Sequence, residues 1–253
     1  MQLEKIDIVK KETYFKKILS FKKYSNYFGQ AFEPDDWYLE TEHTFILAKP
    51  VDDFFRLFLS SDDREEVVTL LKVMEGINVI NLPSKREIVE WDQLMTDAGY
   101  ENIGIYERYF YTKFRPGGTL DQIKFAQSEQ VEEIYDLLYG YEGFSPYTDY
   151  LPSKDELSQL IKERFAIVNE LSGKIVGTHL FQIDDKKCYL RTWIDKSPVD
   201  GFKLIFNMHT IMREKGITYA YLWVNSENKR VKSIHQFLGA KPDGLKDYTF
   251  IKR

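Results

Sequence analysis

Apolar positions in the second half of the chain alternate between helical and strand periods. After Ser128, which stands where an N-cap is wanted, Val131, Ile134, Tyr135 and Leu138 share one face at helical spacing. Ser153 opens a second helix, to Lys162, with the Ser-x-x-Glu pattern of a capping box. Ala166–Asn169, a turn at Ser172-Gly173 and Ile175–Gln182 read as a hairpin, and Cys188–Ile194 as the third strand of a meander. Leu204, Ile205, Met208, Ile211 and Met212 stripe a helix from Gly201 to Lys215, which Gly216 stops. A strand at Thr218–Val224, a helix at Asn228–Leu238 and a strand at Tyr248–Lys252 follow, and a strand at about 121–126 opens the series. The order β-α-α-β-β-β-α-β-α-β predicts an antiparallel meander extended by a β-α-β unit.

The first half repeats the end of this order. A helix at Asp62–Glu75 stops at Gly76, a strand covers Asn78–Leu82, and a helix at Arg86–Ala98 leads through Gly99 into a strand ending near Tyr111. Gly99 follows Gly76 by 23 residues, and Gly239 follows Gly216 by 23. Equal spacing with equal element order predicts an internal duplication. Ile6–Phe21 extends the match upstream as strand then helix, while the middle of the first copy lacks one meander strand. Arg115-Pro116-Gly117-Gly118-Thr119 cannot continue a strand or a helix, so the boundary is expected there, giving units 1–117 and 118–253. The predicted class is α/β of the α+β type, each unit a mixed, mainly antiparallel sheet flanked by helices.

Composition narrows the function. With 253 residues, 43% hydrophobic and 30% charged, the chain buries a core. A net charge of −5 argues against a nucleic-acid partner. No apolar run approaches a membrane span, and Met1–Lys5 has no signal-peptide core. One cysteine, Cys188, allows neither an intrachain disulfide nor a thiolate zinc cluster, and four scattered histidines show no metal-ligand spacing. A cytoplasmic protein without a bound metal is expected.

The second half, about 120–253, resembles the GNAT superfamily of acyl-CoA N-acyltransferases in element order. Members commonly end on an Asn, a Tyr seven residues later, and Gly-Phe four residues after that. Asn228, His235, Gly239 and Ala240 stand at those places, so the Asn and Gly match and His235 replaces the Tyr. The family's donor loop, Arg/Gln-x-x-Gly-x-Gly/Ala, falls on Lys196-Ser197-Pro198-Val199-Asp200-Gly201, where only Gly201 matches. In the first half Ile88 and Met95 stand at the Asn and Tyr places, and Gly99-Tyr100 resembles the ending. The whole resembles a tandem GNAT whose first copy has lost its site. The resemblance implies acetyl-CoA or another acyl-CoA as co-substrate, and an amine, small molecule or peptide, as acceptor.

Lys196, Ser197, Val199, Gly201 and Asn228 are the candidate donor-binding residues. A helix N-terminus offers free N–H groups and a positive dipole end to a pyrophosphate; the alternative is a plain strand-to-helix loop. His235 shares a helix face with Val231 and Leu238. Either it protonates the leaving thiolate as an imidazolium, or it is a half-buried histidine satisfied by a carbonyl. Tyr189, Arg191 and Trp193 alternate onto one strand face, as do Tyr219, Tyr221 and Trp223, and they either line an acceptor pocket or pack under helices. Arg191 needs a carboxylate, the protein's own or a ligand's. The loop Tyr139–Pro152 holds Tyr141, Glu142 and Tyr147 as acceptor contacts, and Glu142 or Asp149 can hold an ammonium. No general base is assigned. Two other readings stay open: acyl or aminoacyl transfer from a carrier protein or tRNA on the same fold, and a non-catalytic binding protein.

Overall fold

The computed structural model describes residues 3–115, 118–196 and 201–253. The chain forms two compact units, Met1–Ile105 with Leu245–Arg253, and Tyr106–Gly244. Position 118 therefore lies inside the second unit; Pro116 and Gly117 are outside the described residues.

The first half contributes β1 (Glu4–Lys5), α1 (Lys11–Ser20), β2 (Tyr24–Ser25), β3 (Trp37–Glu40), β4 (Thr44–Val51), β5 (Phe54–Ser61), α2 (Arg64–Val73), β6 (Ile77–Ser84), α3 (Val89–Asp97) and β7 (Glu101–Tyr111). The second contributes α4 (Val131–Tyr139), α5 (Lys154–Lys162), β8 (Ala166–Leu171), β9 (Lys174–Asp184), β10 (Lys187–Asp195), α6 (Gly201–Glu214), β11 (Tyr219–Asn225), α7 (Lys229–Phe237) and β12 (Lys241–Lys252). Among the described residues no helix is long and apolar enough to cross a membrane.

In the first unit β1, β3, β4 and β5 run antiparallel, and β5 then pairs parallel with β6 from Phe54↔Ile77 to Leu57↔Ile80. The other edge of β6 takes the end of β12 antiparallel, Lys246↔Ser84 through Lys252↔Asn78. The β3-β4-β5 meander is complete, which corrects the expectation of a missing strand. Trp37–Glu40 is only four residues long, too short for an alternation to register. Asp63 caps α2 by accepting from the Glu65 and Glu66 N–H groups, and α2 and α3 bury Val67, Leu70, Leu71, Leu94 and Met95 on the sheet.

The second unit repeats the plan. β8, β9 and β10 form the meander, β10 pairs parallel with β11, and Tyr106–Tyr111 of β7 lies antiparallel on β11. Each unit is thus closed by the strand that ends the other half of the sequence. Ile167 and Phe181 face α6, while Ala166, Val168 and Leu180 face α4 and α5, so helices cover both sides. Ser153 caps α5 as expected. The strand expected at 121–126 is instead a single helical turn, Leu120–Gln122, and one bridge, Phe125↔Ile167. The helix expected from Ser128 begins with a tight turn, Ser128–Gln130, before α4.

Candidate functional site

β10 and β11 pair for only three residues, Lys187↔Tyr219, Cys188↔Ala220 and Tyr189↔Tyr221. Beyond them β10 continues beside β9 and β11 beside β7, which leaves a split between the two strands. Leu190 lies opposite Phe181 and Thr192 opposite Leu180, so Arg191 is the extra residue of a bulge on the split's edge.

The bulge reverses the facing of everything after it. Arg191 reaches toward α5: its Nη1 donates to Glu156 Oε1 (2.5 Å) and its Nη2 to the Tyr150 carbonyl (3.2 Å). Trp193 packs instead with the α6–α7 core, its ring edge-on to His235 at 6.1 Å. Arg191 and Trp193 therefore do not share a face as the period of two predicts. Tyr189 does meet Tyr221, stacked at 5.0 Å. The partner that Arg191 required is Glu156, and its Nε is buried without a partner among the described residues.

On the α6–α7 side, two neutral imidazoles, His235 and His209, flank Tyr111, and a third, His179, lies within their electrostatic reach. His235 on α7 is 3% exposed, and its Nδ1 is 2.7 Å from the Tyr111 hydroxyl. Burial, aided by His209, pushes its pKa down to about 4. At neutral pH it is uncharged, which removes the imidazolium acid from the sequence reading; desolvation penalises the charged ring. His209 on α6 accepts the Arg115 N–H at Nδ1 (2.9 Å), so its proton sits on Nε2; burial and the Arg115 charge bring its pKa to about 4. His179 on β9 falls to about 3 through burial and the other two rings. His209 Nε2, Trp193 Nε1 and His179 Nδ1 are buried without partners among the described residues. Buried polar atoms left this way carry a cost of about 1–3 kcal/mol each, and they mark where a bound group or water completes the structure. The same histidines form no metal-holding group among the described residues.

The donor-loop candidates separate. Ser197 and Val199 lie outside the described residues. Lys196 is exposed beside them, and its N–H bonds to the Val176 carbonyl (2.8 Å). Gly201 is the first residue of α6, whose first turn carries no acidic residue. Asn228 is the N-cap of α7 and accepts the Val231 N–H (3.0 Å), so its oxygen is spent on the helix. Among the acceptor candidates, Tyr141 and Glu142 are exposed, Tyr141 packing edge-on to Phe144, and Tyr147 is half-buried.

The first unit has the equivalent split, and the chain fills it. β2 runs along the far half of β5, Tyr24↔Ser61 and Ser25↔Ser60, and Asn26 N–H bonds to the Leu59 carbonyl (3.1 Å). The Asn26 carboxamide, fully buried, donates to the Leu57 and Asn81 carbonyls (3.0 Å each) and accepts from Leu59 N–H (2.6 Å). It bridges both strands where they part. Beside it Arg56 donates to Asn81, and Asn81 donates to Asp247 (3.0 Å), whose pKa burial pushes up to about 7. The first turn of α2 carries Glu65 and Glu66, which disfavour a phosphate there.

Sequence reasoning missed Tyr106, Tyr111, His179 and His209, because each acquires its role through pairing distant in sequence. No protein-family model matches the sequence, and no curated protein matches it. In fold the chain is similar to a GNAT-family acetyltransferase from Colwellia psychrerythraea (TM-score 0.59, 13% identity, 100% of both chains covered). It is also similar to a GCN5-related N-acetyltransferase from Sphaerobacter thermophilus (0.61, 11%, 99% of this chain and 95% of that one). A tandem GNAT protein from the clavulanic acid biosynthesis pathway aligns as well (0.52, 9%, 86% and 82%). The chain has the GNAT fold built twice in tandem, with the first copy's split closed by its own residues and the second copy's spanned by no such strand or carboxamide among the described residues.

Proposed function

We propose that the chain is an N-acyltransferase that moves an acetyl or other acyl group from coenzyme A to an amine, with its site in the second unit. The observation that carries this reading is the contrast between the two splits. In the first unit a carboxamide from the chain bonds both strands at the point of divergence. In the second unit the corresponding strand edges pair no further, among the described residues, after Tyr189 and Tyr221. An unpaired strand edge is a template for an amide-bearing chain, and the pantetheine arm of coenzyme A carries two amides. The unpartnered Trp193 and His209 N–H groups fit the same occupant.

The acyl-CoA supplies a thioester already activated toward amines. Gly201 and the α6 N-terminus receive the pyrophosphate, with Lys196 adding charge. The bulge at Arg191 turns a main-chain N–H of β10 out of the ladder, toward the charge that builds on the thioester oxygen. His235 acts as a neutral group: held by Tyr111, it hydrogen-bonds the departing sulfur rather than delivering a proton from an imidazolium. A thiolate, with a pKa near 8.5, needs little more. The loop between α4 and α5, with Tyr141, Glu142 and Tyr147, takes the acceptor.

Thermal melting of the full chain with coenzyme A, acetyl-CoA and longer acyl-CoA tests the reading. At one hundred times the dissociation constant a donor stabilises by about 2.7 kcal/mol. No shift with any of them removes it.

A further inference from the structure

The loop between α4 and α5 is tied at two neighbouring residues to two different strands. Asp149 Oδ1 accepts from the Tyr106 hydroxyl (2.9 Å), and Tyr106 on β7 lies opposite Asn225, the last residue of β11. One residue on, the Tyr150 carbonyl accepts from Arg191, the bulged residue of β10. The loop therefore crosses the split on the α4–α5 side, opposite the side that holds His235. On this side an acceptor amine needs a group that can take its proton.

The Tyr106–Asp149 pair is built for that task. Asp149 Oδ2 accepts the Ser145 N–H (2.8 Å) and the Thr148 hydroxyl (3.0 Å), which fixes the carboxylate and leaves Oδ1 to Tyr106. Tyr106 is only partly buried, and its oxygen, which also meets Thr148 Oγ1 (3.1 Å) and the Asn225 side chain, offers a lone pair to an acceptor that takes the place of one of these contacts. Burial raises the Asp149 pKa while its three hydrogen-bond donors pull the other way, so it is a stronger base than an exposed aspartate. The groups facing the pair are Ser145 and Thr148 of the loop and Asn225 of β11; the nearest ion pair tied to this loop is Arg191–Glu156, reaching from β10 and α5. Glu142, its rival in the sequence, is exposed.

We propose that Tyr106 and Asp149 form the proton-accepting pair on the acceptor side of the split. This rests on the acyltransferase reading. The acceptor enters as an ammonium, and one of its N–H bonds breaks as an O–H bond forms on the Tyr106 oxygen. The Tyr106 proton passes at the same time to Asp149 Oδ1. The lone pair of the now neutral nitrogen then makes the new bond to the acyl carbon, the carbon–sulfur pair leaves with the sulfur, and the second N–H proton goes to that thiolate to give the thiol. An amine that arrives neutral skips the first transfer. Tyr106 touches the acceptor and is the catalytic residue; Asp149 acts through it as a positioning residue that stores the proton until water removes it.

Asp149→Asn and Tyr106→Phe, in the full chain, test the pair with acetyl-CoA and two probes: ethanolamine, protonated at neutral pH, and hydroxylamine, neutral there. Thiol release is followed from pH 5 to 9, corrected for the uncatalysed reaction. Both variants are expected to lose about 10²-fold or more in kcat with ethanolamine and to keep most of their rate with hydroxylamine, with acetyl-CoA affinity unchanged. The acid limb of the wild-type kcat profile disappears in Asp149→Asn. An equal loss with both amines marks a residue that only seats the loop, and overturns the proposal. So does an active wild type whose variants match it. A wild type that binds acetyl-CoA yet releases no thiol with either amine overturns the acyltransferase reading, and this pair with it.

Discussion

Asn26→Ala is the most informative single perturbation of the first unit. The wild-type carboxamide satisfies two main-chain carbonyls, Leu57 and Asn81, and one N–H, Leu59, in a site with no solvent exposure. Alanine leaves all three without a partner where the strands diverge. A buried group stripped of its hydrogen bond costs about 1–3 kcal/mol, so three give about 3–9 kcal/mol before relaxation. Entry of a water into the space left by the carboxamide recovers part of this, and we expect about 3–5 kcal/mol. The assay is urea unfolding followed by tryptophan fluorescence. Trp37 and Trp91 belong to the first unit, and Trp193 and Trp223 to the second. In a Trp193→Phe, Trp223→Phe background the signal reports the first unit alone, which avoids assuming one transition for the whole chain. Trp91 is well placed for this, with its ring 5.9 Å from that of Tyr24 on β2. Asn26→Asp is expected to be at least as damaging, because it turns a donor facing two carbonyls into a charge. A loss below about 1 kcal/mol for Asn26→Ala, within the range of an ordinary surface change, would refute the account of the closed split.

Asp247, with its pKa raised to about 7 by burial, binds its proton more tightly folded than unfolded. Its contribution to stability is present at low pH and is lost as pH rises from about 4 toward 7; Asp247→Asn is expected to flatten that slope in urea titrations of the first unit. His235→Phe is expected to lower kcat with donor affinity near wild type, and to remove no titration between pH 6 and 7, since the ring is already neutral there; loss of a limb near pH 6.5 would contradict this. Arg191→Ala frees Glu156 and the Tyr150 carbonyl, and is expected to raise the acceptor KM more than the donor KM in steady-state kinetics.

Much of the second unit's frame was legible because local signals agree there. The Ser153 cap, the α6 stripe and the stop at Gly216 each act within one element. The four glycines that suggested duplication, Gly76, Gly99, Gly216 and Gly239, all take left-handed φ (74°, 83°, 66° and 102°), so the repeat reflects a shared backbone requirement at helix ends. The site was less legible. Alternation along Tyr189-Leu190-Arg191-Thr192-Trp193 assumes an unbroken period of two, and one bulged residue reverses the facing of all that follows. His235 was placed correctly on its helix, but its protonation depends on burial by Tyr111, Trp193 and two other histidines that come from four different elements. Asn26 lies in a short polar stretch that reads as a loop; only the partner strands give it a role.

The two copies show how a parallel strand pair that parts must be completed. β10 and β11, and likewise β5 and β6, stop pairing after a few residues. The main-chain N–H and C=O groups on the facing edges then lose their partners, and buried backbone groups are rarely left so. A copy can draw the missing partners from its own chain, from water or from a ligand. The first copy uses its chain: β2 lies on β5, Asn26 bonds both strands, and Arg56, Asn81 and Asp247 fill the ground beside it with a polar network. Charge follows the same logic, since Glu65 and Glu66 in the first turn of α2 stabilise that helix and disfavour a phosphate at it. Among the described residues the second copy uses neither device. Its split is flanked by rings held neutral, by indole and imidazole nitrogens without partners among the described residues, and by a helix whose first turn carries no acid. A fold duplicated in one chain can thus close one copy with a short strand and a buried carboxamide, while in the other the described residues supply no such closure at the same gap, which is where we propose the donor binds.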